Sequence, residues 1–144
     1  LYVTGHSGSG KSSLMQAYVV PMLRRGSETG DEKADPVAAA MLRAFGNLDR
    51  AMRDALGRPG GVWDEGKDLG DAEARLCVEQ AAKAARHKGR RLVILFDQFE
   101  ENILGVPNDK LRQQPVVQLV LSLHARPLEG VCCVLVASRC RYVS

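Results

Sequence analysis

The sequence predicts a three-layer α/β domain with a parallel central sheet, and three observations carry that expectation. Two short apolar runs, RRLVILF (residues 90–96) and VCCVLVAS (residues 131–138), are unbroken. This is the pattern of strands buried on both faces under helices. Stretches of helical periodicity lie before and between them, and strands alternating with helices build parallel sheets. A nine-residue stretch rich in glycine and serine, GHSGSGKSS (residues 5–13), follows the apolar lead LYVT, which reads as the last half of another strand.

Taken in order, Lys11 to about Val20 suits a helix with Leu14, Tyr18 and Val19 on one side. Pro21 kinks it or opens a last turn, and Gly26 marks its end. GSETGDEKAD (residues 26–35) reads as a polar surface loop. Asp35-Pro36 then offers an N-cap followed by proline at the first helical position. The apolar positions Met41, Phe45, Leu48, Met52 and Leu56 step by helical intervals, so one helix is expected there. GRPGGVWDEGKDLG (residues 57–70) is a second loop. Asp71 begins another helix, with Ala74, Cys77, Ala81 and Ala84 inward, ending near Gly89. In QQPVVQLVLSLHAR (residues 113–126) the β-branched content favours a strand. Its length and its place between two buried strands favour a crossover helix, which is the expectation adopted.

The 144 residues suffice for one domain with a real core. A net charge of +3 is spread among acids, and the only adjacent basic pairs, Arg24-Arg25 and Arg90-Arg91, stand at expected element ends as solvated charge. Direct nucleic-acid binding is not expected, nor is a membrane partner, because no apolar run approaches the ~20 residues of a span. The cysteines Cys77, Cys132, Cys133 and Cys140 form no CxxC pair. Buried reduced thiols, no zinc site and a cytoplasmic location are therefore expected. A chain that starts in mid-strand is expected to be one domain, residues 1–144, of a longer multidomain protein and incomplete at both ends.

The residues Gly5, His6, Ser7, Gly8, Ser9, Gly10, Lys11 and Ser12 match G-x-x-x-x-G-K-[ST] at every fixed position, between a strand and a helix. Glycines let such a loop wrap closely around phosphate oxygens, and the following helix presents its positive end. Lys11 is expected to reach the β- and γ-phosphates, Ser12 to ligate Mg²⁺, and Ser13 to lie near the α-phosphate. The domain is thus expected to be a P-loop NTPase sandwich that binds a nucleotide with Mg²⁺. Asp97 closes the apolar run LVILFD, where a Walker B carboxylate holds the metal through water. Glu100 and Glu101 follow within a turn, and one of them can act as general base; the rival reading is a solvated helix start. Gln98, directly after Asp97, can orient water but cannot take its proton, so slow turnover is expected. Arg139, just past the last strand, can sense the γ-phosphate or be an ordinary surface arginine; Arg141 is the weaker candidate.

Three pieces of the chain resemble the STAND class of signal-transducing P-loop ATPases, relatives of the NACHT and AAA+ groups, and in particular the novel STAND subfamily. GHSGSGKSSLMQAYVVPMLRRG is similar to the family's phosphate loop and helix, LVILFDQFEE to its strand end, and VLVASRCRY to its sensor strand; DPVAAAMLRAF suits its Asp-Pro-led helix. The resemblance implies ATP as the nucleotide, since the residues themselves lack a guanine-reading motif but do not select adenine. It also implies Asp97 as the Mg²⁺ aspartate, Glu100 or Glu101 as the water-positioning acid, and Arg139 as the sensor. Members act as switches in which exchange or slow hydrolysis repacks the domain against helical and repeat sensor domains of the same chain, with homo-oligomer formation on activation. The family's strand after the first helix has no counterpart in GSETGDEKAD, so that edge strand is expected to be missing. A non-catalytic nucleotide-binding scaffold and a P-loop small-molecule kinase are the alternative functions.

Overall fold

The computed structural model describes residues 2–6, 8–26, 37–43, 47–56 and 73–139. Four strands, β1 (Tyr2–His6), β2 (Val37–Arg43), β3 (Arg91–Asp97) and β4 (Val131–Arg139), form one sheet in the order β1-β4-β3-β2. Every pairing is parallel. The expected strands over 90–96 and 131–138 are present, and the intervening segment carries a short helix α5 (Asn108–Leu111) and the expected crossover helix α6 (Pro115–Ala125), with proline in its first turn.

The first crossover begins with α1 (Lys11–Leu14), continues as a π-helical segment (Met15–Val19) and ends as α2 (Val20–Gly26). Pro21 explains the wide turn. Its ring excludes the carbonyl four residues back and it has no N–H, so a looser winding just before it lets the helix run on. Along this helix Met15 and Val20 face the core and are buried, while Leu14 and Tyr18 are exposed. Arg24 is not simply solvated, because its guanidinium Nη2 donates to the Ala39 carbonyl of β2 at 3.1 Å.

The expected helix led by Asp35-Pro36 is corrected by the structure. Residues 37–43 are the strand β2, and among the described residues of this stretch Leu48–Leu56 are helical (α3). The four-strand sheet therefore keeps the edge strand expected to be missing. Ala38, Ala39, Ala40 and Leu42 are buried between β3 and the helices on both faces, and that packing overrides alanine's local preference for helix. Asn47 caps α3, its Oδ1 accepting the Arg50 N–H at 2.9 Å. Asp49 of α3 in turn accepts the Ala74 N–H, 2.8 Å away, at the start of α4 (Ala74–His87). Helix α4 buries Ala74, Cys77, Val78, Ala81, Ala82 and Ala85; Ala84, expected inward, is only half-buried. Residues 27–35 and 57–70 of the two expected loops, and Asp71, Phe45, Ser7, Cys140 and Arg141, lie outside the described residues.

Strand alternation divides the core into two layers. Leu92, Ile94 and Phe96 of β3 pack under α3, α4 and α6, together with Met52, Leu56, Cys77, Val116 and Leu119. Leu95 points the other way, with Val134, Val136, Met15 and Val20. The helix after the glycine loop thus covers one face, and α3, α4 and α6 cover the opposite one. The same alternation separates the two neighbouring cysteines. Cys133 is half-buried, and burial, with the Cys132 thiol beside it, pushes its thiol up to about 11. Burial likewise raises Cys77. Cys132, expected buried, is exposed. Among the described residues no cluster of three metal-ligating side chains exists, and no helix is long and apolar enough to cross a membrane.

Candidate nucleotide site

Parallel strands deliver their carboxyl ends to one edge of the sheet, where β1, β3 and β4 place the residues singled out in the sequence. Gly5 and His6 close β1, paired with Ser138 and Arg139 of β4. The chain then turns back through Gly8 and Gly10, whose φ angles of +76° and +77° are closed to residues with a Cβ at little strain. Gly10 stands directly before α1, and its carbonyl accepts the Leu14 N–H at 2.8 Å. The Lys11 ammonium lies across this loop. It donates to the His6 carbonyl at 2.6 Å, to the Gly5 carbonyl at 3.1 Å and to Ser9 Oγ at 3.2 Å. His6, Ser9 and Ser13 are exposed.

Ser12, one residue into α1, meets the end of β3. Its hydroxyl donates to Asp97 Oδ1 at 2.6 Å, a contact between residues 85 apart in sequence. Asp97 is buried at 1% exposure, and three donors engage it. Oδ1 also accepts the Gln98 N–H at 3.0 Å, and Oδ2 accepts Arg43 Nε at 3.0 Å. A buried carboxylate requires such partners. A serine hydroxyl against a buried carboxylate is a hard-oxygen pair of the kind Mg²⁺ prefers. The donor set of Ser12 and Asp97 fits a divalent cation.

Beyond Asp97 the chain makes an abrupt turn. Gln98 adopts φ 53°, ψ 40°, the only left-handed non-glycine residue among those described, and residues Phe99–Asn102 form a 3-10 turn. The turn separates the two candidate acids. Glu100 is buried, and its Oε2 is the one buried side-chain polar atom among the described residues with no hydrogen-bond partner. Glu101 is exposed. Arg139 ends β4 opposite His6, which sets its backbone between the glycine loop and Asp97; its side chain lies outside the described residues.

The residue that sequence reasoning missed is Arg43. It ends β2 directly opposite Asp97 in the β2–β3 register and makes the ion pair just described. Only recognition of residues 37–43 as a strand beside β3 could have found it.

No curated protein matches the sequence. The fold is similar to that of the ORC2 protein of Aeropyrum pernix, whose structure is of ADPNP–ADP complexes. The TM-score is 0.62 at 18% identity, over 95% of this chain and 34% of that one. This chain thus spans about a third of the length of that protein's chain. Residues 1–143 match the family Novel STAND NTPase 1. The chain belongs to that family and is a nucleotide-binding, NTPase-type domain.

Proposed function

We propose that the domain is an ATP- and Mg²⁺-dependent regulatory switch that hydrolyses or exchanges its nucleotide slowly. The observation that carries this reading is the 2.6 Å contact between Ser12, beside the glycine loop, and Asp97 at the end of the buried strand. Gly5 to Ser13 wrap the phosphates, with Lys11 leaving its loop carbonyls for the β- and γ-phosphate oxygens. Ser12 and Asp97 would hold the metal, which would supply charge neutralisation at the phosphates. Glu100 takes the proton of the attacking water as the bond from the γ-phosphorus to the leaving ADP oxygen breaks. Glu100 is preferred to Glu101 because its buried Oε2 has an open acceptor position for a water hydrogen, whereas Glu101 faces bulk solvent. Arg139 offsets charge on the γ-phosphate.

In this reading nucleotide state changes packing against helical and repeat domains and drives self-assembly in the cytoplasm, and membership of the family supports it. It is tested by titrating the full-length protein with Mg²⁺ and ATP in a calorimeter while its mass is followed by light scattering. Uptake coupled to assembly is the expected result; a monomer indifferent to ATP would refute it. A second reading, a nucleotide-binding scaffold without catalysis, is favoured by Gln98 in the position after Asp97. Phosphate release unchanged by Glu100→Gln and by Glu101→Gln, each made separately, would support the scaffold.

A further inference from the structure

Arg43 occupies one of the two oxygens of Asp97, and it is the partner that must yield when the site is filled. Of the three donors to Asp97, the Gln98 N–H is fixed by the backbone. Ser12 need not move, because a hydroxyl can donate its proton to Oδ1 and still offer a lone pair to a cation. Arg43 is different. Its Nε sits on Oδ2, the oxygen left to receive a metal-bound water, and it brings a positive charge to a place that must accept a divalent cation. Its side chain is 47% exposed, whereas that of Asp97 is at 0%. The arginine is therefore the mobile member of the pair and the aspartate the fixed one. Asp97 is its one hydrogen-bonding partner among the described residues. The guanidinium stands at the carboxyl ends of the strands, and its planar fork suits a phosphate oxygen pair at least as well as a carboxylate.

We propose that Arg43 is a γ-phosphate-dependent gate on Asp97. Without nucleotide it holds Oδ2. A triphosphate gives it a second anion, so that it leaves Asp97 to the metal and grips the γ-phosphate. A diphosphate gives it none, so the metal must compete with an arginine that has nowhere better to go. Arg43 would then set the preference for ATP over ADP, and with it the direction of any nucleotide exchange. This inference rests on the nucleotide-binding reading above.

The test uses the full-length protein, with Mg²⁺–ADP and a Mg²⁺–ATP analogue that resists hydrolysis titrated by calorimetry. Wild type is expected to prefer the triphosphate. Arg43→Ala is expected to bind Mg²⁺–ADP more tightly and to reduce the triphosphate-to-diphosphate affinity ratio about tenfold, the lower end for a charge-assisted bond at a half-exposed site. Arg43→Gln, which fills similar space and still donates to Asp97, guards against misfolding of the alanine variant and is expected to show the same fall. A ratio within twofold of wild type in the folded variants overturns the gate while leaving nucleotide binding intact. Absence of nucleotide uptake by wild type overturns the nucleotide reading and the gate together.

Discussion

Substituting Glu100 by Met, and in a second variant by Gln, perturbs the one buried polar side-chain atom among the described residues that no donor reaches. A polar group buried without a partner costs roughly 1–3 kcal/mol. Methionine has a similar length and no such requirement, so Glu100→Met is expected to stabilise the fold by about 1–2 kcal/mol. With a urea dependence of ~2 kcal/mol per molar for a domain of this size, the unfolding midpoint rises by about 0.5–1 M. Glutamine keeps the shape but brings an amide that also lacks partners, so its midpoint stays within about 0.5 M of wild type. Both variants keep the phosphate loop, Ser12 and Asp97, so nucleotide uptake measured by calorimetry is unchanged. Phosphate release by the full-length protein is expected to fall about a hundredfold in each, the size of a lost general base. A stabilised but inactive methionine variant is the signature of a side chain held in place for chemistry. A methionine variant that unfolds earlier than wild type would show that Glu100 has a structural partner, and a glutamine variant with full phosphate release would remove it from the mechanism.

Asp97→Asn keeps an acceptor for Ser12 and the Gln98 N–H but loses the charge, and is expected to abolish the Mg²⁺ dependence of ATP uptake in the calorimeter while altering stability by no more than about 2 kcal/mol. Phe96→Ala, fully buried at the centre of the larger core layer, is expected to lower stability by ~3–5 kcal/mol in urea. With iodoacetamide at pH 8, the exposed Cys132 is expected to react at least about tenfold faster than Cys77 or Cys133, read by peptide mass. Because the folded Cys133 thiol lies at about 11, above its ordinary 9.0, its contribution is complete below pH 9 and is lost as pH rises toward 11. The urea midpoint should accordingly decline over that alkaline window, and less so in Cys133→Val.

Much of the site could be read from the sequence because its signals are local. The glycine loop, the apolar run ending in Asp97 and the run ending in Arg139 each announce themselves within ten residues, and helix α6 follows from the length between two buried strands. The readings that went astray depend on partners distant in the chain. VAAAMLR looks helical by composition and follows a proline, and Met41 falls in step with Leu48, Met52 and Leu56. Yet Met41 belongs to a strand whose alanines are small enough to fit between β3 and its covering helices. Arg43 was invisible for the same reason, since its partner lies 54 residues on. The core-facing residues of the first helix, Met15 and Val20, depend on a π-helical winding before Pro21 that periodicity does not announce. The contrast between Glu100 and Glu101 needed the left-handed Gln98, which no propensity announces.

The strand order has a consequence for how the protein comes into being. Tyr2 pairs with Leu135, so β1 finds its neighbour only after nearly all of the described chain has been synthesised. Pairings that span the sequence are slow to form, because a long loop must close before any contact rewards it. During synthesis β2 and β3 can join first, and the glycine loop waits on an unpartnered segment until β4 arrives to carry it to Asp97. A translation arrest placed before residue 131 should therefore yield a nascent chain that is partly folded yet unable to retain ATP, and release of that arrest should restore both together.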